Sequence, residues 1–294
     1  LIGMEACGSA HYWARKLQEQ GHTVRLMAPQ FVKPYVKTNK HDVADAEAIC
    51  EAVRRPNMRF VPIKNIEQQA ILAVHRVRQG LIKARTAQAN QIRGLLSEFG
   101  LVLPVGISSV YQRVPILLDQ AKGELPGMFQ ELIWRLLEHL KDLDRQVNEL
   151  EREINVWHRS NELSRKLEKV PGIGPITASA LVASIGDAKS FANGRQLAAW
   201  LGLVPREYST GGKTTLLGIS KRGDTYLRTL LIHGGRAMIR CAGQKPPQAN
   251  SWLARLLTRR HKNVATVALA NKNARIVWAL LAHDREFRAD YSEA

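Results

Sequence analysis

Apolar positions along the chain change rhythm three times. Residues 1–5 (LIGME) and 22–29 (HTVRLMAP) are short apolar runs of strand type, the first ending in Glu5 and the second stopped by Pro29. Between them SAHYWARKLQEQG reads as a helix closed by Gly21. Strand, helix, strand at this spacing predicts a βαβ unit with parallel strands. In such sheets catalytic groups gather beyond the carboxyl ends of the strands, the edge that Glu5 occupies. After a loop around Pro34 comes a helix on which Val43, Ala46, Cys50 and Val53 recur as a buried stripe, with Asp42 and Asp45 three residues apart on an adjoining face. RRPNMRFVPIK breaks it, and a long helix follows from Ile66 to Phe99. One side of that helix carries Arg76, Arg78, Lys83, Arg85 and Arg93, and is either a solvated face or a phosphate-contacting one.

GLVLPVGISS is a linker. Beyond it Ile133, Leu136, Leu140, Leu143, Val147, Leu150, Ile154 and Trp157 step by threes and fours, a heptad seam with charged flanks. Such a helix either packs within its own chain or, as the regularity favours, pairs with another chain as a coiled coil. From about Ser160 onward the chain is rich in Ala and Leu and helical in pattern, as in TYLRTLLIHGGRAMIR and VATVALANKNARIVWALLAH.

Charge narrows the partners. The 294 residues hold 43 Lys+Arg against 26 Asp+Glu, a net +17, and residues 195–294 alone carry +11 of it. A balance this basic points to a polyanion, nucleic acid first. No apolar run is long enough to span a bilayer and no signal peptide is evident, so a membrane partner is set aside. Cys7, Cys50 and Cys241 are far apart and form no CxxC pair, which argues against a disulfide scaffold or a structural zinc site and suits a reducing cytoplasm. His75, His139 and His233 have no paired ligand spacing and read as ordinary surface or core residues.

Three constellations carry chemistry. VPGIGPITASALVASIG (170–186) has the pattern of a helix-hairpin-helix, in which Gly172 and Gly174 let the backbone approach a phosphate at the next helix N-terminus; the alternative is a tight turn with no ligand. STGGKTTLLGISKRGDTYLRTLL (209–231) reads as a flexible basic loop with Gly211, Gly212, Gly218 and Gly223, followed by a helix capped by Asp224. Lys213, Lys221, Arg222 and Arg228 are its candidate phosphate contacts. Ser220, flanked by Lys221 and Arg222, is either a passive phosphate contact or a nucleophile whose transition state the cations would stabilise. The loop lacks Walker A spacing. Glu5, Asp42 and Asp45 make the third constellation. Near helix starts acids also serve as caps and dipole partners, but three carboxylates at a βαβ edge are also the ligand type for Mg²⁺.

MEACGSAHYWARKL, KTNKHDVADAEAI, VPGIGPITASALVASIGD, RQLAAWLGLVPRE and GISKRGDTYLRTLLIHGGRAM, in this order over nearly the whole chain, resemble the IS-one-ten family of insertion-sequence transposases, the DEDD transposases. The resemblance implies an α/β fold, a partial RuvC/RNase H-like sheet, followed by a long coiled coil and an all-α C-terminal domain with a helix-hairpin-helix. The expected domains are 1–105, with the sheet and the long basic helix; 106–160, linker and coiled coil; and 161–294, the helical transposase domain. It also implies a DNA recombinase directed by an element-encoded bridge RNA, acting in the bacterial cytoplasm at the nucleoid as a homodimer or homotetramer. Of the family's acidic tetrad, Glu5, Asp42 and Asp45 match the last three members and would bind Mg²⁺, while Ser220 matches the catalytic serine. The first Asp belongs to a strand upstream of Glu5 that this sequence does not contain, so the chain is expected to be either a piece of a longer protein or the product of a 5′-decayed gene. A non-catalytic nucleic-acid-binding remnant and a RuvC-like structural-junction nuclease stand as alternatives.

Overall fold

A computed structural model describes residues 1–37, 41–244 and 251–288, with residues 243 and 244 traced as backbone only. The chain forms two compact units, Leu1–Ala70 with Asn161–Ala294, and Ile71–Ser160.

The first unit begins with β1 (Ile2–Glu5), α1 (Ala10–Glu19) and β2 (Val24–Met27). The two strands are parallel, Glu5 standing level with Met27, as the βαβ spacing predicts. A single-turn helix α2 (Pro29–Val32) and a 3-10 turn lead to α3 (Asp42–Val53) and a short antiparallel β3 (Phe60–Val61), giving the order β1-β2-β3. Because side chains alternate along a strand, Val24 and Leu26 of β2 pack on Ala10 and Ala14 of α1, while Met27 packs with Ala48, Ala52 and Val53 of α3. The apolar stripe expected on α3 is therefore corrected. Val43 is 60% exposed, Ala46 and Cys50 are exposed, and of the four residues only Val53 is buried. The helix instead turns small alanines toward the sheet. It approaches β1 so closely that a Cβ on Gly3 would lie 2.9 Å from that of Val53.

The second unit takes α4 (Ile66–Ser97) from Ile71 onward, α5 (Ile107–Gln120) and α6 (Gly127–Ser160). Ile92 and Leu96 of α4, Val110 and Val114 of α5, and Ile133, Leu137 and Leu140 of α6 form one core. Arg78 bonds Glu151 through Nε (3.0 Å) and Nη2 (2.5 Å), and Arg85 bonds Asp144 (2.5 Å). Seven residues forward on α4 match seven residues back on α6, so the helices run antiparallel. Of the expected heptad seam, Ile133, Leu140, Leu143, Val147 and Ile154 are buried within this chain. Much of the seam expected to face another chain is thus covered within this one, while Leu136, Leu150 and Trp157 are half-buried. Arg93 donates to the Gly106 carbonyl (2.8 Å), which leaves Arg76 and Lys83 as the exposed cations of the basic side of α4.

The chain returns to the first unit through α7 (Glu162–Glu168), α8 (Pro175–Ile185) and α9 (Gly194–Trp200). It then forms β4 (Pro205–Thr210) and β5 (Lys213–Ile219), and ends in α10 (Thr225–Gln244), α11 (Trp252–Arg259) and α12 (Lys262–Ala282). The apolar α8 is buried on nearly every side, and α12 packs against both α9 and α10. Two expectations are corrected here. The C-terminal part is not all helical, and the stretch read as a flexible loop is an antiparallel hairpin in which Tyr208 pairs with Thr215 and Thr210 with Lys213. Gly211 (φ 54°) and Gly212 (φ 76°) supply the two positive φ angles of a tight turn, and the flanking Tyr and Thr residues favour strand. The segments 245–250 and 289–294 of the expected third domain lie outside the described residues, as do residues 38–40 ahead of α3.

Candidate active site

Glu5 ends β1 at the carboxyl edge of the sheet and is half-buried; the next residue, Ala6, donates its N–H to Met27 (2.7 Å). Asp42 and Asp45 sit in the first turn of α3, where the helix dipole favours negative charge. His41 caps that turn, its Nδ1 accepting the Val43 N–H (3.2 Å). The three acids occupy neighbouring elements, yet among the described residues no group of three or more His, Cys, Asp or Glu side chains converges closely enough to hold a metal ion. Asp42 points to solvent while Glu5 and Asp45 are half-buried. The residues as they stand do not close a metal centre.

Ser220 follows β5 directly. Its N–H donates to the Val204 carbonyl (2.8 Å) and that of Lys221 to the Gly202 carbonyl (3.1 Å). Lys221 adopts φ 54°, a conformation that costs a residue with a Cβ about 1–2 kcal/mol and persists only where the surroundings impose it. Gly223, at φ 94°, lies so near Trp200 that a Cβ there would meet its carbonyl oxygen at 1.8 Å. Arg228, 8% exposed, donates from Nη1 to the carbonyls of Leu201 (3.1 Å) and Arg222 (3.5 Å), and from Nη2 to Thr225 Oγ1 (3.1 Å). Asp224 accepts the Leu227 N–H (3.0 Å) as the cap of α10. The loop is pinned on both flanks. Arg228, expected to touch nucleic acid, instead spends its guanidinium on this loop and acts as a positioning residue.

The pinned loop leaves Lys221 and Arg222 exposed, and neither has a carboxylate partner among the described residues. The Ser220 hydroxyl has no hydrogen-bond partner among them either. Lys213, at the hairpin turn, is likewise exposed and unpaired.

Gly172 and Gly174 lie in the turn between α7 and α8. Gly172 (φ 86°) faces α10 so closely that a Cβ on Gly234 would fall 1.8 Å from its carbonyl oxygen, and Asn273 of α12 donates to the Pro171 carbonyl (2.9 Å). Gly172 thereby serves contact with its own chain. Gly174 is exposed, ends the turn as the N-cap of α8, and has nothing within 4 Å of a Cβ position. Three further residues escaped sequence reasoning. Trp252, Lys272 and Arg275 line a groove of about 990 Å³ beside the end of β5. The one available signal was the pair of cations three residues apart in the second half of α12.

Comparison with known proteins gives a consistent result. Residues 164–251 match the family model described as "Transposase IS116/IS110/IS902 family", and residues 1–100 match a DEDD model described as "Transposase". Over 289 residues the chain is 56% identical to a "Probable family 20 transposase" of Pseudomonas aeruginosa, covering 98% of this chain and 86% of that protein. It is 46% identical over 288 residues to the transposase for insertion sequence element IS1111A of Coxiella burnetii, covering 98% and 79% of the two chains. A third relative, the transposase for insertion sequence element IS1328 of Yersinia enterocolitica, is 44% identical over 287 residues, covering 98% and 85%.

Proposed function

The chain belongs to the IS116/IS110/IS902 family of insertion-sequence transposases, and on that premise we propose that it cuts and joins DNA through a covalent serine–DNA intermediate. The observation that carries this reading is the pinned loop, in which a serine is followed directly by two exposed cations that have no carboxylate partner among the described residues. Ser220 Oγ forms a bond to phosphorus as one bridging P–O bond of the DNA breaks. The proton lost by the serine is balanced by the one taken up by the leaving sugar oxygen. Lys221 and Arg222 offset the charge that builds on the phosphate in between. Ester is exchanged for ester, so the reverse attack by a new sugar hydroxyl rejoins DNA without an energy source. The exposed Gly174 at the N-terminus of α8, with Lys213, would fix the DNA backbone at a distance from the chemistry.

In this reading residues 1–105 contribute the acids Glu5, Asp42 and Asp45, and residues 161–294 the serine. Mg²⁺ is the ion these acids would take, and when bound it would stabilise the oxygens exchanged at phosphorus. Because the three carboxylates form no ready group, no step is derived through the ion. A bridge RNA as guide, and a homodimer or homotetramer, complete the proposal. The heptad seam, being occupied within the chain, is not the surface we assign to the oligomer. The second reading is a nucleic-acid-binding remnant that does not cleave, and the absence of a metal-ready group among the described residues is what favours it.

One experiment separates the two. The full chain is incubated with a nicked donor-junction DNA that traps covalent intermediates, with and without RNA transcribed from the flanking element. A protein–DNA adduct mapped to Ser220 by mass spectrometry, and lost in Ser220→Ala, is the expected result. Adduct that persists in Ser220→Ala removes the serine assignment. Binding without any adduct establishes the remnant, and cleavage of branched DNA that ignores RNA establishes the junction nuclease.

A further inference from the structure

The groove beside β5 belongs to neither the acids nor the serine, and its chemistry is mixed in a particular way. Its walls are apolar, with Leu217 of β5 and Val264 and Val267 of α12, while Lys272 and Arg275 stand together on one face of α12. Leu217 and Val264 are 48% and 53% exposed, a pair of large apolar side chains bordering a concave surface. Neither cation has a carboxylate partner among the described residues. The Lys272 ammonium rests 4.6 Å from the centre of the Trp252 ring. Burial first, and the charge of Arg275 second, hold it below the ordinary lysine value. An ammonium in that position gains from an anion. The ring contact is weak enough for a phosphate to compete with. Gly218 and Ile219 line the same groove, and Ser220 is the next residue.

A ligand that suits this groove has a flat apolar body and a negative charge. We propose that it binds one unpaired DNA nucleotide next to the phosphate that Ser220 attacks, with the base against Leu217 and Val264 and its phosphate on Lys272 and Arg275. The proposal rests on the DNA-cleaving reading above. It assigns to the groove the role of setting which phosphate reaches the serine. Duplex DNA keeps its bases stacked and inaccessible, so the nucleotide held here is one unpaired at the strand-exchange point. Apolar and stacking contact to a base tolerates any sequence, and phosphate contact supplies the salt-dependent part of the affinity.

The test uses the full chain and a fluorescein-labelled oligothymidylate, a matched oligonucleotide with abasic sites, and oligouridylate. Binding is followed by anisotropy as salt is raised. Lys272→Gln/Arg275→Gln is expected to weaken oligothymidylate binding and to reduce the slope of log affinity against log salt by about 0.7, the value for one phosphate of a single strand. Leu217→Ser/Val264→Ser changes only exposed side chains. It is expected to weaken oligothymidylate several-fold and leave the abasic strand unaffected. In parallel, 5-iodouracil next to the scissile phosphate should crosslink within residues 217–279 in the wild type and fail to do so in the apolar double variant. Wild-type affinity and an unchanged crosslink in both variants overturn the proposal. So does equal binding of the abasic and intact strands, and a preference for oligouridylate that the variants abolish reassigns the groove to RNA. Failure of the serine reading is separable: the groove then binds and crosslinks while no Ser220 adduct forms.

Discussion

Gly234 shows how much a single missing methyl group decides. A Cβ there would sit 1.8 Å from the Gly172 carbonyl oxygen, so α10 can lie against the turn before α8 only because this position is bare. Gly234→Ala gains about 1 kcal/mol of helix propensity but forces overpacking that costs up to about 3 kcal/mol. Urea unfolding should report a net loss of about 2 kcal/mol. Gly80, in α4 with nothing within 4 Å, is the control. Gly80→Ala should leave stability equal or raise it by up to about 1 kcal/mol, and a comparable loss at both sites would show that the close approach is not what matters. The sequence displays both glycines but not the difference between them, because the contact at Gly234 joins residues 62 positions apart. The same limit hid the role of Arg228. Its basic, helix-start position reads like a phosphate contact, whereas its partners are carbonyls up to 27 residues away.

At the scale of elements, periodicity was legible and partnership was not. The heptad seam of α6 reads correctly as an apolar stripe, yet a stripe does not say which helix will cover it. What settles the matter is charge register: Arg78 with Glu151 and Arg85 with Asp144 fix α4 antiparallel to α6. Arg85→Asp should destabilise by about 1–2 kcal/mol, since the pair is only partly shielded. Arg85→Asp combined with Asp144→Arg should recover most of that loss in a double-mutant cycle, and no recovery would mean the pair is incidental.

The same unit carries a pH dependence. His75 is 1% exposed, and burial, helped by the charge of Arg78, lowers its pKa to about 4 from the ordinary 6.5. The folded ring therefore stays neutral where the unfolded ring takes up a proton. Its contribution to stability is complete above pH 6.5 and drains away as pH falls toward 4, by roughly 3 kcal/mol at most. Denaturation midpoints at pH 7.5 and 4.5 should differ in the wild type, and the difference should shrink in His75→Leu.

On the whole molecule the net +17 was the plainest signal in the sequence, and it names a polyanion without saying which cations meet it. The structure divides them. Arg78 and Arg85 are occupied by carboxylates of their own chain, whereas Lys213, Lys221 and Arg222 are exposed and unpaired among the described residues. Formal charge treats the two sets alike; counterion release does not, because only a cation that reaches a phosphate displaces a condensed ion. Replacing Lys213, Lys221 and Arg222 by Gln should reduce the slope of log affinity against log salt on duplex DNA by about 2.7, three contacts at about 0.9 each, with the thermal midpoint almost unchanged. Arg78→Gln/Arg85→Gln removes two positive charges against those three. It should lower the thermal midpoint and leave the slope as it was. If both variants shift the slope in proportion to charge removed, then DNA responds to the diffuse field of the whole chain, and the loop around Ser220 is not where the strand is held.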